Sequence, residues 1–172
     1  MNATLAAWNA ASEDTAVAAL LNCCASRRWA NAVAAQRPNA DEDSLYQAAD
    51  NIWSSMQEPD WMEAFRAHPR IGERKADASV QSKSWSQQEQ SLVNDAQQSI
   101  LAELAAGNQR YEELFGFTYI VCATGKSAEE MLNILRRRLS SDRAAELREA
   151  AEQQRQITQI RLRKWLQGDS AV

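Results

Sequence analysis

The sequence predicts an all-α fold: a single-domain helical bundle of about seven to nine helices with one short extended segment. Three observations carry this. Glycine (5) and proline (3) are scarce among the 172 residues, so few positions interrupt regular structure. Alanine, leucine, glutamate, glutamine and arginine, all good helix formers, recur throughout. Apolar residues also repeat at three- and four-residue spacing over most of the chain. The length fits one domain, residues 1–172, whose core buries roughly 68–70% of the surface an unfolded chain exposes.

Taken in order, Thr4 to Ala10 forms a short helix showing Leu5 and Trp8. Ser12-Glu13-Asp14 reads as an N-cap followed by first-turn acids, and opens the run Val17 to Leu21. Ser26 caps a helix through Trp29 and Val33, and Pro38 stops it. Asp41 opens the next, with Leu45, Ala48, Ala49, Ile52, Trp53 and Met56 at helical spacing. Pro59 suits the first position of a short helix that buries Trp61, Met62 and Phe65. That helix ends at Ala67, because His68 precedes Pro69 and is pushed out of the α region.

From His68 to Trp85 the periodicity disappears into a long polar loop. Ser86-Gln87-Gln88-Glu89 is a capping box that starts a helix ending at Gly107, with a shorter helix from Asn108 to Phe115. Phe115 to Cys122 is aromatic and β-branched and reads as extended, so its backbone groups need partners outside a helix. Thr124-Gly125-Lys126 is a turn. Ser127-Ala128-Glu129-Glu130 is a second capping box, before Met131, Ile134, Leu135 and Leu139. Ser141 or Asp142 caps a last helix to about Leu166.

The formal charge of -4 and pI of about 5.1 argue against a nucleic-acid partner, which needs a basic face. A small anionic substrate needs only one or two local cations. The three cysteines have no metal-like spacing and suggest a reducing compartment. No signal peptide is evident, and no apolar run approaches the roughly 18 residues of a membrane span. The expectation is a cytoplasmic protein with no membrane partner. One histidine does not make a zinc site, and no glycine-rich phosphate loop or nucleophile elbow is present.

Two polar side chains fall where helical periodicity calls for apolar ones. Glu89 lines up with Val93, Ala96, Ile100 and Leu104. Arg161 falls within the stripe Leu147, Ala151, Thr158, Leu162 and Trp165. A core-facing arginine is costly unless it is paired or binds an anion. Each also has a purely structural reading. Glu89 closes its capping box, Arg161 pairs with a carboxylate or runs past Trp165 to water, and His68 terminates a helix. Arg136-Arg137-Arg138 reads as a solvated face near a helix C-terminus. The remaining inventory is an acid–base histidine, a glutamate, an arginine and backbone groups. It suits cofactor-free proton transfer on a small anion.

These motifs, in this order, resemble the 2-oxo-4-hydroxy-4-carboxy-5-ureidoimidazoline (OHCU) decarboxylases. His68-Pro69-Arg70-Ile71-Gly72 is similar to that family's catalytic segment, and Ser86-Gln87-Gln88-Glu89-Gln90 to its Ser-x-x-Glu-Gln. Phe115-Gly116-Phe117-Thr118-Tyr119-Ile120 is similar to its Phe-Gly-Phe-Pro-Phe-Ile/Val segment. Cys24 to Trp29 and Ile160-Arg161-Leu162 match more weakly. Thr118 departs from the family's proline, and Glu73-Arg74 from its Gly-Lys-like pair.

The resemblance implies an all-helical homodimer that needs no metal or organic cofactor. It implies catalysis by His68 and Glu89, with Pro69, Ser86, Gln90, Arg161 and the backbone of Tyr119, Ile120 and Val121 against a small anionic ureidoimidazoline. The reaction implied is decarboxylation to (S)-allantoin in urate breakdown. Two other functions use the same residues: a non-catalytic helical binding or scaffold module, and a hydrolase of a ureido compound.

Overall fold

A computed structural model describes residues 2–71 and 98–168. Among the described residues there are eight helices and no strand, as the all-α expectation requires. They are α1 (Ala3–Ala10), α2 (Glu13–Cys23), α3 (Arg27–Ala34), α4 (Glu42–Ser55), α5 (Glu58–Arg66), α6 (Gln98–Phe115), α7 (Ala128–Arg138) and α8 (Arg143–Leu166). The chain divides into two compact units, Met1–Ala64 with Arg155–Val172, and Phe65–Gln154.

In the first unit α2 packs on α3 and α3 on α4, around Leu5, Leu20, Trp29, Leu45 and Leu162, none of which is exposed. Two of its buried indoles satisfy their N–H groups on backbone carbonyls. Trp8 donates to Ala16 and Trp29 to Ala49, each at 3.0 Å. Side chains cap the helices where the sequence places them, with Ser12, Ser26 and Asp41 accepting from the first-turn amides of α2, α3 and α4. Asn2 caps α1 in the same way, a cap the sequence reading did not name. Pro59 stands one residue inside α5 rather than at its first position, because the Gln57 carbonyl already accepts from Trp61 N.

The second unit is built on α6 and α7, which pack together. Here two expectations fail. Helix α6 does not stop at Gly107 but runs unbroken to Phe115. Leu104, Asn108, Tyr111 and Phe115 are buried along one face of it, at helical spacing through the glycine. Gly107 is needed for contact rather than for a turn: a Cβ there would lie 2.6 Å from Leu135 Cδ2 of α7. The arginine run is also not uniformly solvated. Arg136 and Arg137 are exposed, but Arg138 is buried.

The second capping box is present, with Ser127 and Glu130 exchanging bonds at the start of α7. Asp142 caps α8 through its bond from Ala145 N. The Ser86 capping box, the Glu89 stripe and the loop from Glu73 to Trp85 lie outside the described residues.

Candidate active site

Helix α5 ends at Arg66, and His68 follows in a bend with its amide donating to Phe65 O at 3.1 Å. The residue before a proline is disfavoured in the α region, so the chain leaves the helix axis here. Two anchors fix this exit. The Phe65 ring packs against Phe117 with centroids 5.5 Å apart. Arg70 forms a two-pronged pair with Glu112 of α6, Nε to Oε1 at 2.8 Å and Nη2 to Oε2 at 2.6 Å. Those bonds from Arg70 hold the Glu112 carboxyl below its usual range. Between the anchors, half-buried His68 brings Nε2 to 2.6 Å from Oε1 of Gln154 on α8.

The segment after α6 has no regular secondary structure and joins no sheet among the described residues. Gly116, with φ 81°, turns the chain out of the helix in a region that favours glycine. Side chains then supply the backbone partners that a ladder would have given. Arg138 Nη1 donates to Ile120 O at 2.6 Å, and Cys122 N donates to Gln153 Oε1 at 2.9 Å. Lys126 Nζ donates to Cys122 O at 2.8 Å.

Arg138 is itself paired. Its Nε donates to Glu146 Oε2 at 2.8 Å, and its guanidinium stands 5.0 Å from the Tyr119 ring centroid. Tyr111 OH donates to the same Glu146 oxygen at 2.5 Å. Burial pushes the phenols of Tyr111 and Tyr119 up, so both stay neutral. The result is a buried ionic cluster bonded to the backbone at Ile120. The aromatics of this segment are core, as expected: Phe115, Phe117 and Tyr119 all pack on Tyr111.

In the second unit, then, His68 and the Cys122 amide, next after Tyr119–Val121, are held by adjacent residues of α8, Gln154 and Gln153. Pro69 is half-buried, and Tyr119, Ile120 and Val121 are buried. Arg161 belongs to the first unit. It is 5% exposed on the stripe where periodicity put it, with Nη1 3.5 Å from Cys23 O. Burial pushes the Cys23 thiol up against the pull of this guanidinium, and pushes Cys24 up to about 11. Ser86, Glu89 and Gln90 lie outside the described residues.

Gln153, Gln154, Arg138 and Glu146 were not anticipated. A signal for two of them existed. Gln154 falls on the α8 stripe between Ala151 and Thr158, and Arg138 follows Met131 and Leu135 on α7, so the test that singled out Arg161 applies to both.

Comparison with known proteins gives concordant results. The model of the OHCU decarboxylase family matches residues 9–163. A uric acid degradation bifunctional protein, TTL, of Arabidopsis thaliana is 34% identical over 145 residues, which are 83% of this chain and 44% of that protein. A 2-oxo-4-hydroxy-4-carboxy-5-ureidoimidazoline decarboxylase of Amia calva is 38% identical over 60 residues, 35% of this chain and 34% of that one. The chain thus spans less than half the length of the curated relatives it matches. Among solved structures, an OHCU decarboxylase determined in the presence of (S)-allantoin superposes with a TM-score of 0.75 at 30% identity. The superposition covers 91% of this chain and 99% of that one.

Proposed function

This chain belongs to the OHCU decarboxylase family, and we propose from that premise that it converts 2-oxo-4-hydroxy-4-carboxy-5-ureidoimidazoline to (S)-allantoin and CO2 in urate breakdown. The observation that carries this reading is the Gln153–Gln154 pair, which bonds an acid–base histidine and the Cys122 amide, at the end of the backbone strip, from neighbouring positions of one helix. The match to a decarboxylase structure obtained with (S)-allantoin supports it.

In the substrate, one ring carbon bears both the hydroxyl and the carboxylate and adjoins a ring imine. As the C–CO2 bond breaks, its electron pair moves toward the imine and leaves an enol-like intermediate. The ring imine is the electron sink, so no organic cofactor is required. Neutral His68 accepts the hydroxyl proton as CO2 departs. Protonation of the neighbouring carbon from one face gives the S isomer.

Glu89 holds a ring N–H or the hydroxyl. Ser86, Gln90 and Pro69 contact the ligand, and Arg161 pairs with a carboxylate or ureido oxygen. Backbone groups of Tyr119, Ile120 and Val121 meet the polar atoms of the ring and ureido group. The family-matched stretch works as one domain, in a cytoplasmic homodimer.

The test is a product balance on fresh substrate with the purified chain. The account expects CO2 and allantoin in equal amounts, formed faster than spontaneous decay. Release of ammonia or urea in their place would make the chain a ureido hydrolase. No acceleration at all would leave a binding or scaffold module.

A further inference from the structure

We infer that Gln154 is a positioning residue that holds neutral His68 in the tautomer protonated at Nε2, which makes Nδ1 the nitrogen that takes the substrate's proton. The role of His68 in this statement rests on the proposed decarboxylation; the tautomer does not. A carboxamide oxygen only accepts hydrogen bonds. At 2.6 Å from Nε2, Gln154 Oε1 therefore requires an N–H on that nitrogen. In neutral imidazole the other nitrogen then carries the lone pair.

The surroundings favour a fixed arrangement. Gln154 is 1% exposed, so water does not compete for its oxygen. The preceding residue of the helix is pinned as well. Gln153 Oε1 accepts from Cys122 N at 2.9 Å, and Gln153 Nε2 donates to Glu149 Oε1 at 2.9 Å. Each partner there can play only one role, so the orientation of that carboxamide is settled. On the far side, His68 is tied to Phe65 O through its amide. The alternative is a Gln154 carboxamide turned by half a rotation. It would present NH2 to Nε2 and reverse the assignment, making Nε2 the base. The two arrangements predict opposite proton positions.

The chain has a single histidine, so every imidazole nitrogen signal belongs to His68. Long-range 1H–15N correlation spectra of the 15N-labelled full chain, at a pH where the ring is neutral, read the tautomer directly. The expected result is Nε2 protonated and Nδ1 bare in the wild type. In Gln154→Leu, with its fold checked by far-UV circular dichroism, the populations move toward the mixture of free imidazole. There the tautomer ratio falls by roughly tenfold, the worth of one lost hydrogen bond, and kcat for (S)-allantoin falls only in step with the fraction of rings that leave the Nε2–H form, by less than about twofold, while KM barely moves.

Gln154→Glu offers only acceptors and is nearly isosteric. It keeps the Nε2–H tautomer once the pH is high enough to neutralise the ring, and it stands in should the leucine variant not fold. A wild-type ring protonated at Nδ1 overturns the inference. So does an unchanged tautomer ratio in Gln154→Leu, or an Nδ1–H ring in Gln154→Glu. If the tautomer behaves as expected but the wild type makes no (S)-allantoin, the decarboxylase reading fails and the tautomer assignment stands.

Discussion

Arg138 uses one guanidinium to hold three things at once: the Ile120 carbonyl, the Glu146 carboxylate and the Tyr111 hydroxyl. It is 4% exposed and Glu146 is 2% exposed. Removing one partner of such a pair leaves the other charge buried alone, which costs about 3–5 kcal/mol. Arg138→Met, which keeps much of the packing volume, is therefore expected to lose that much in urea unfolding. Adding Glu146→Leu removes the orphaned charge and recovers part of the loss. A single variant within about 1 kcal/mol of wild type, the range of an exposed pair, would mean that the cluster does not hold the strip.

Residues of this kind are where the sequence reading reached its limit. Arg161 was singled out because it sits among apolar neighbours. Arg138 sits beside two exposed arginines, and composition alone makes the three look alike. Only the register of α7 separates them. Gln154 was passed over because a neutral amide on a core stripe attracts less notice than a charge.

At the scale of elements, the caps could be read from the sequence because their chemistry is local. Ser12, Ser26, Asp41 and Ser127 each bond to amides within three residues. Gly107 could not be read in the same way. A glycine between two helical patterns signals a stop, yet here it admits a buried leucine from another helix. Close approach of two helices is a tertiary property, which local pattern does not encode.

The consequence for Gly107 can be measured. Gly107→Ala gains about 1 kcal/mol of helix propensity, but its Cβ meets Leu135 Cδ2 at 2.6 Å, and Leu135 is fully buried. Overpacking costs about 1–3 kcal/mol, so the expected net effect is a destabilisation of up to about 2 kcal/mol. Stabilisation by the full propensity gain would show that the contact yields freely. The extended segment was anticipated as an oddity, a strip with no evident ladder. Its partners turn out to be side chains of α7 and α8 and a nearby lysine, reached by folding rather than by neighbouring sequence.

At the scale of the molecule, the all-helical class followed from composition and period, and the family followed from the order of three motifs. The family match over residues 9–163 agrees with that reading. Composition could not give the way the chain divides, with its last residues returning to the first unit. That depends on contacts distant in sequence.

The central claim is that His68 directs a stereospecific decarboxylation. Because the substrate decays by itself, its disappearance is a weak measure, and the optical activity of the product is the direct one. Circular dichroism of fresh 2-oxo-4-hydroxy-4-carboxy-5-ureidoimidazoline mixed with wild type is predicted to develop the (S)-allantoin signal. With His68→Ala, folded by its far-UV spectrum, that signal is predicted to fall by at least about 100-fold, the usual worth of a general base. An undiminished (S)-allantoin signal from His68→Ala would contradict the account.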